Sequence, residues 1–129
     1  MNTWDQLADD ATIQKTIDAL KEHNVEAIVV ENGGDALAKI KELIPKGASV
    51  MNGSSRTLEQ IGYADYAKST DHGWNNLHGA VTAENDAAKR AELRKKSAFS
   101  DYYLGSVHAL TETGEFINAS NTGRPEAVF

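Results

Sequence analysis

The stretch Val25-Glu26-Ala27-Ile28-Val29-Val30-Glu31-Asn32-Gly33-Gly34-Asp35-Ala36-Leu37-Ala38-Lys39-Ile40-Lys41-Glu42-Leu43-Ile44-Pro45-Lys46-Gly47-Ala48-Ser49-Val50-Met51 changes periodicity twice. Val25 to Val30 is a short apolar run rich in β-branched residues, the composition of a buried strand. Asn32-Gly33-Gly34 reads as a turn. Ala36, Leu37, Ile40, Leu43 and Ile44 then recur at helical spacing until Pro45 and Gly47 end the pattern. Ala48 to Met51 reads as a second short strand. Strand, helix and strand in succession, with short connections, predict a parallel sheet covered by helices and joined by right-handed crossovers.

Upstream, Ile13, Ile17 and Leu20 mark a helix from Ala11 to His23. Downstream, the second strand runs into Asn52-Gly53-Ser54-Ser55-Arg56-Thr57, and Leu58 and Ile61 place a helix start within or just after that loop. Tyr63 to Gly79 mixes Asp, Gly, Asn and His with aromatics and predicts short or irregular elements. Thr82 is read as the N-cap of a helix from Ala83 to Ala98, with Glu84 and Asp86 near its start and Arg94, Lys95 and Lys96 near its end. Asp101 to Leu104 predicts a third strand and Glu115 to Ala119 another. The expectation is an α/β fold of three layers with a mostly parallel sheet, built as one domain over residues 1–129.

At 129 residues the chain can enclose a single core. Hydrophobic residues at 40% and charged residues at 25% describe a folded chain. A formal charge of −6 offers no field to attract phosphate backbones or anionic lipid, so neither nucleic acid nor a membrane is expected as partner. The basic residues Lys89, Arg90, Arg94, Lys95 and Lys96 read as a solvated helix face, paired as Asp86–Arg90 and Glu92–Lys96. The absence of cysteine removes disulfides, thiol nucleophiles and thiolate-held iron–sulfur clusters. No cofactor is therefore assigned, and electron chemistry would sit on a partner. The polar, acidic start, Met1 to Asp10, predicts neither a secretory signal nor a membrane anchor, and the cytoplasm is the expected compartment.

Two polar clusters carry candidate chemistry. Gly53, Ser54, Ser55, Arg56 and Thr57 follow a strand and open a helix, where backbone N–H groups, small hydroxyls and a guanidinium suit a phosphate or carboxylate. The same residues also suit an ordinary Ser-capped helix start. The second cluster is Thr111, Glu112, Thr113, Gly114 and Glu115 with Asn118, Ser120, Asn121, Thr122, Gly123 and Arg124. Ligands of open α/β sheets collect beyond the carboxyl ends of strands, so a shared pocket would combine anion donors with Glu112 as base or nucleophile. A hairpin turn at Thr113-Gly114 with solvated neighbours accounts for the same residues. His72, His78 and His108 with Asp71 match no metal-ligand spacing, and no metal is assigned. Trp4 and Trp74 read as anchors of a terminus and a loop.

Asn52-Gly53-Ser54-Ser55-Arg56-Thr57-Leu58-Glu59-Gln60-Ile61-Gly62 is similar to the glycine-serine-serine, threonine, glutamate, glycine pattern of the lactate-utilization (LUD) domain family. Asp101-Tyr102-Tyr103-Leu104-Gly105-Ser106-Val107-His108-Ala109-Leu110-Thr111-Glu112-Thr113-Gly114-Glu115-Phe116-Ile117-Asn118, followed by Thr122-Gly123-Arg124, resembles a second and more specific segment. The family usually has asparagine where His108 stands and an asparagine directly before the arginine where this chain has Gly123. The resemblance implies the fold shared by ribose-phosphate isomerases, glucosamine-phosphate deaminases and coenzyme A transferases, and a place in bacterial lactate-oxidation complexes beside iron–sulfur partner proteins. It also implies a domain that stops early at its C-terminus, leaving a sheet edge that a second copy can pair with, so a homodimer is expected.

Three functions follow as expectations. The leading one is a binding or accessory module of lactate or related organic-acid utilization, without its own redox centre. It would hold a small anionic metabolite, carboxylate or phosphate, between Gly53, Ser54, Ser55, Arg56, Thr57 and Thr111, Thr113, Gly114, Asn118, Arg124. The second is an enzyme of phosphosugar isomerase-like or acyl-transfer type using Glu112. The third is a structural or interaction domain.

Overall fold

A computed structural model describes residues 6–119. In chain order its elements are α1 (Asp10–Glu22), α2 (Gly33–Leu43), β1 (Ser49–Asn52), α3 (Arg56–Gln60), α4 (Tyr63–Lys68), β2 (Asn75–Asn76), α5 (Leu77–Ala83), α6 (Ala87–Ser97), β3 (Tyr102–Leu104), β4 (Ala109–Leu110) and β5 (Phe116–Ile117). They form two compact units, one of residues 30–106 and one whose described residues are 6–29 and 107–119. The fold class is α/β, as the periodicity predicts.

Unit 30–106 is built on a three-stranded sheet of order β2-β1-β3, parallel throughout. Helices α3 and α4 carry the chain from β1 to β2, and α5 and α6 carry it from β2 to β3. Such crossovers are what parallel pairing demands. The core gathers Ile44, Ala48, Val50, Leu58, Tyr63, Ala67 and Trp74, with Leu37, Ile40, Ile61 and Tyr66 packed on it. Trp74 fulfils the expected anchoring role, its indole Nε1 donating to Ile44 O at 3.1 Å. His72 stacks on that indole at 5.3 Å, and its Nδ1 accepts from Trp74 N. Burial pushes the Tyr63 phenol up to about 12, because a phenolate there would lose its water. At the start of the sheet, the Asp101 carboxylate accepts from Ser49 N and Ser49 Oγ at 2.9 and 3.0 Å. Those two bonds hold its pKa below the usual carboxylate range.

In the other unit, α1 meets the antiparallel hairpin of β4 and β5. Asp9 caps α1, its carboxylate accepting from Thr12 N at 2.7 Å. Gly114, at φ +88°, lets the hairpin turn lie against Ala19 and His23 of the helix end.

Several local expectations are corrected. Val25 to Val30 is not a strand: the run joins neither sheet, and Ile28 and Val29 are 44% and 62% exposed. A strand needs a hydrogen-bonding partner as well as composition. Gly33 and Gly34 open α2 under an Asn32 cap instead of forming a separate turn. Thr82 is not an N-cap. Its hydroxyl donates back to His78 O and Gly79 O inside α5, and Asp86 caps α6 through Lys89 N. The expected ion pairs of α6 are not formed among the described residues, whose ion pairs are Lys15–Glu112 and Lys39–Glu42. Arg90 instead donates through Nε and a terminal nitrogen to Glu84 O. No helix among the described residues is long and apolar enough to cross a membrane.

Candidate functional site

A cavity of about 360 Å³ opens in unit 30–106 at the carboxyl ends of β1 and β2. Asn52 and Asn76 are the last residues of those strands and both line it. Gly53, Ser54 and Ser55 form one wall, Leu58 and Glu59 of α3 another, and Ala64, Ala67 and Lys68 come from α4. His78, Gly79 and Thr82 of α5 complete it. Adjacent parallel strands diverge at their carboxyl ends into separate loops, leaving a crevice for a ligand.

Much of this lining is already committed to holding the wall in shape. Gly53 N donates to Leu104 O at 3.1 Å, tying the loop to β3. Ser55 is buried; its hydroxyl donates to Ser106 Oγ at 2.8 Å and accepts from Leu58 N at 3.2 Å as the cap of α3. Asn76 plays the matching part on the other strand: Nδ2 donates to Ala67 O at 2.8 Å and Oδ1 accepts from Gly79 N at 3.1 Å, capping α5. A Cβ on Gly79 would approach Asn76 Nδ2 to 3.1 Å, so the close packing there suits glycine. Ser54, Glu59, Lys68 and His78 line the same cavity with side chains that make no such bonds among the described residues. They offer a hydroxyl, a carboxylate, an ammonium and an imidazole to a guest.

Of the residues expected to bind, Gly53, Ser54 and Ser55 therefore sit at the cavity, while Arg56 and Thr57 open α3 outside its lining. Glu112 belongs to the other unit, where its Oε2 lies 3.0 Å from Lys15 Nζ on an exposed surface. In the same hairpin, Thr111 and Thr113 turn their hydroxyls onto the Glu115 carboxylate, holding its pKa below the usual range, and Glu115 N donates to Thr111 Oγ1 at 2.9 Å. These groups are arranged as the self-bonded turn that the residues also allowed. Asn118 is exposed just beyond β5, and His108 Nδ1 accepts from Ala119 N at 3.2 Å. Arg124, Ser120 to Gly123 and Trp4 lie outside the described residues.

Lys68, Asn76 and Thr82 escaped sequence reasoning as site residues, and His78 was weighed only as a metal ligand. The one local signal was the Asn75-Asn76 pair ahead of Leu77, an N-cap sequence. Among the described residues no group of three or more His, Asp or Glu is gathered to hold a metal ion.

Neither curated proteins nor solved structures gave a match to the chain. A family model described as the LUD domain matches residues 13–129, well over half of the 129. The chain belongs to the LUD domain family.

Proposed function

We propose that the chain is a small-anion-binding module of lactate or related organic-acid utilization, and that the anion sits in the cavity beyond β1 and β2. The observation that carries this reading is the division of labour in the lining: Ser55 and Asn76 are spent on capping, whereas Ser54, Lys68 and His78 present donors to the cavity. An ammonium beside a hydroxyl and an imidazole suits a carboxylate or phosphate, and the Glu59 carboxylate disfavours a guest of high negative charge. Family membership supplies the metabolic setting. With no cysteine in these 129 residues, iron–sulfur proteins are the partner class that would carry electrons for such a module.

Thermal denaturation in the presence of lactate, pyruvate or inorganic phosphate tests the reading. Ligand at a hundredfold excess over its dissociation constant stabilises the folded state by about 2.7 kcal/mol, a readily measured rise in Tm. The rise should appear in the wild type and in Arg56→Ala but vanish in Lys68→Ala. If none of the three anions shifts Tm, or Lys68→Ala keeps the full shift, the cavity is not the anion site.

A further inference from the structure

Phe99, two residues beyond α6, is 89% exposed. Helical hydrogen bonding continues to it, with Phe99 N donating to Lys96 O at 3.1 Å and Ser100 N to Ser97 O at 3.2 Å. Its position, three and four residues after Lys96 and Lys95, puts the ring on the same helical face as those two ammonium groups. Leu93 and Ser97 occupy the inward side of α6, half-buried and buried respectively. Lys89, Arg94, Lys95 and Lys96 have no carboxylate partner among the described residues. The result is an aromatic knob with a cationic collar, on a chain whose overall charge is −6.

The other unit carries the complementary shape. An open groove of about 480 Å³ runs along the end of α1 and the segment that follows, lined by Ile17, Lys21, Asn24, Val25, Glu26 and Ala27. Ile17, Val25 and Ala27 make it apolar. Glu26 stands on its rim, and Asp18 and Glu22, both exposed, occupy the helical row beside Ile17 and Lys21. Among the described lining residues Lys21 is the single cation, set against these three carboxylates.

We propose that Phe99 of one copy seats in the Ile17–Ala27 groove of a second copy, with Lys95 and Lys96 set against Glu22 and Glu26. Knob and groove are different surfaces of the same chain, so every copy carries both halves of the contact. Buried aromatics ringed by polar contacts are what concentrates binding energy in an interface. Other occupants fit the knob less well. Insertion into a membrane surface needs a broad apolar helix face, and the outward positions of α6 offer alanines, cations and Glu92 around one phenylalanine. An extended polyanion such as RNA meets the repulsion of the chain's net negative charge, whereas the groove supplies its acids locally.

Light scattering and sedimentation velocity of the full chain, across the micromolar range at low and high salt, test the contact. Association is expected at low salt and should weaken as salt screens the collar. Phe99→Ala and Glu26→Lys, both at solvent-facing positions, should each raise the dissociation constant about tenfold or more while leaving the far-ultraviolet circular dichroism unchanged. An equimolar mixture of the two variants should associate again, because one retains the groove and the other the knob. The proposal is overturned by a wild type that stays monomeric, by association indifferent to Phe99→Ala, or by a mixture that fails to recover. It is equally overturned if Phe99 proves to mediate binding to anionic vesicles or RNA by a monomer.

Discussion

Replacing Gly114 with alanine should loosen the hairpin from α1. Gly114 sits at φ +88° in a turn closed by its own N–H donating to Thr111 O at 3.0 Å. An L-residue there costs about 1–2 kcal/mol in backbone strain. The added Cβ would meet His23 Cδ2 at 3.0 Å and Ala19 C and O at 3.2 and 3.3 Å. The His23 ring can swing aside, but Ala19 backbone lies within α1 and can yield only by moving the helix. Overpacking of that kind costs about 1–3 kcal/mol. Restricting the unfolded chain returns about 0.5 kcal/mol, so the net loss is about 1.5–4.5 kcal/mol, the sum of those terms. Two further variants divide it. Gly114→Asn tolerates the left-handed backbone but keeps the clash, whereas Gly114→Ala with His23→Ala relieves the ring contact alone. Both should recover only part of the loss. Amide exchange over α1 and β4–β5, with urea denaturation followed by circular dichroism, measures it. If Gly114→Ala falls within about 0.5 kcal/mol of the wild type and exchange over α1 is unchanged, the turn does not bear on the helix and the reasoning is wrong.

Val50, 1% exposed at the centre of the sheet, should cost about 2–3 kcal/mol when cut to alanine, read from the urea midpoint at constant slope. Asp101 has a folded pKa below its unfolded one because Ser49 N and Oγ hold the carboxylate. Its contribution to stability is present above the unfolded value and lost as pH falls through the folded value. Asp101→Asn should therefore flatten the acid limb of a Tm-versus-pH curve, and an unchanged limb counts against the clamp. Tyr63 behaves in the opposite sense: its phenol is raised from the ordinary 10.0 to about 12, so its contribution is full below pH 10 and lost as pH rises towards 12. Tyr63→Phe should remove that alkaline slope, seen by the same melting series and by a missing phenolate absorbance step.

Elements fixed by local chemistry were legible in the chain. Ile13, Ile17 and Leu20 place α1 within a residue at each end, and β1 and β3 begin one residue after the predicted starts. What depends on distant partners was not. Val25 to Val30 has strand composition, but the run finds no strand partner and joins neither sheet. The neighbour that β1 does accept, Asn75–Asn76, has no β-branched or aromatic residue at all. The break between α5 and α6 turns on a choice among good capping residues: Thr82 and Asp86 both qualify. The structure gives the cap to Asp86 because Thr82 hydroxyl already serves the carbonyls of its own helix.

The same distinction divides the candidate site. The Gly53–Ser55 wall is legible because a glycine and two serines after a strand announce themselves locally, whichever use they serve. The opposite wall depends on β2 pairing with β1 in parallel register, Ser49 with Asn75 and Val50 with Asn76. That pairing brings the start of α5 beside the loop after β1, and no local pattern in Tyr63 to Gly79 encodes it. Once both walls stand, the hydroxyl of Ser55 and the amide of Asn76 are seen to perform one task at two strand ends. Each caps the helix that leaves the sheet and reaches to a neighbouring segment, Ser106 for one and Ala67 for the other. Side chains locked this way shape a cavity but have few bonds left for its guest. On the proposed reading, recognition falls to the neighbours left uncommitted, Ser54, Lys68 and His78, and the motif a sequence displays most plainly is there more frame than contact.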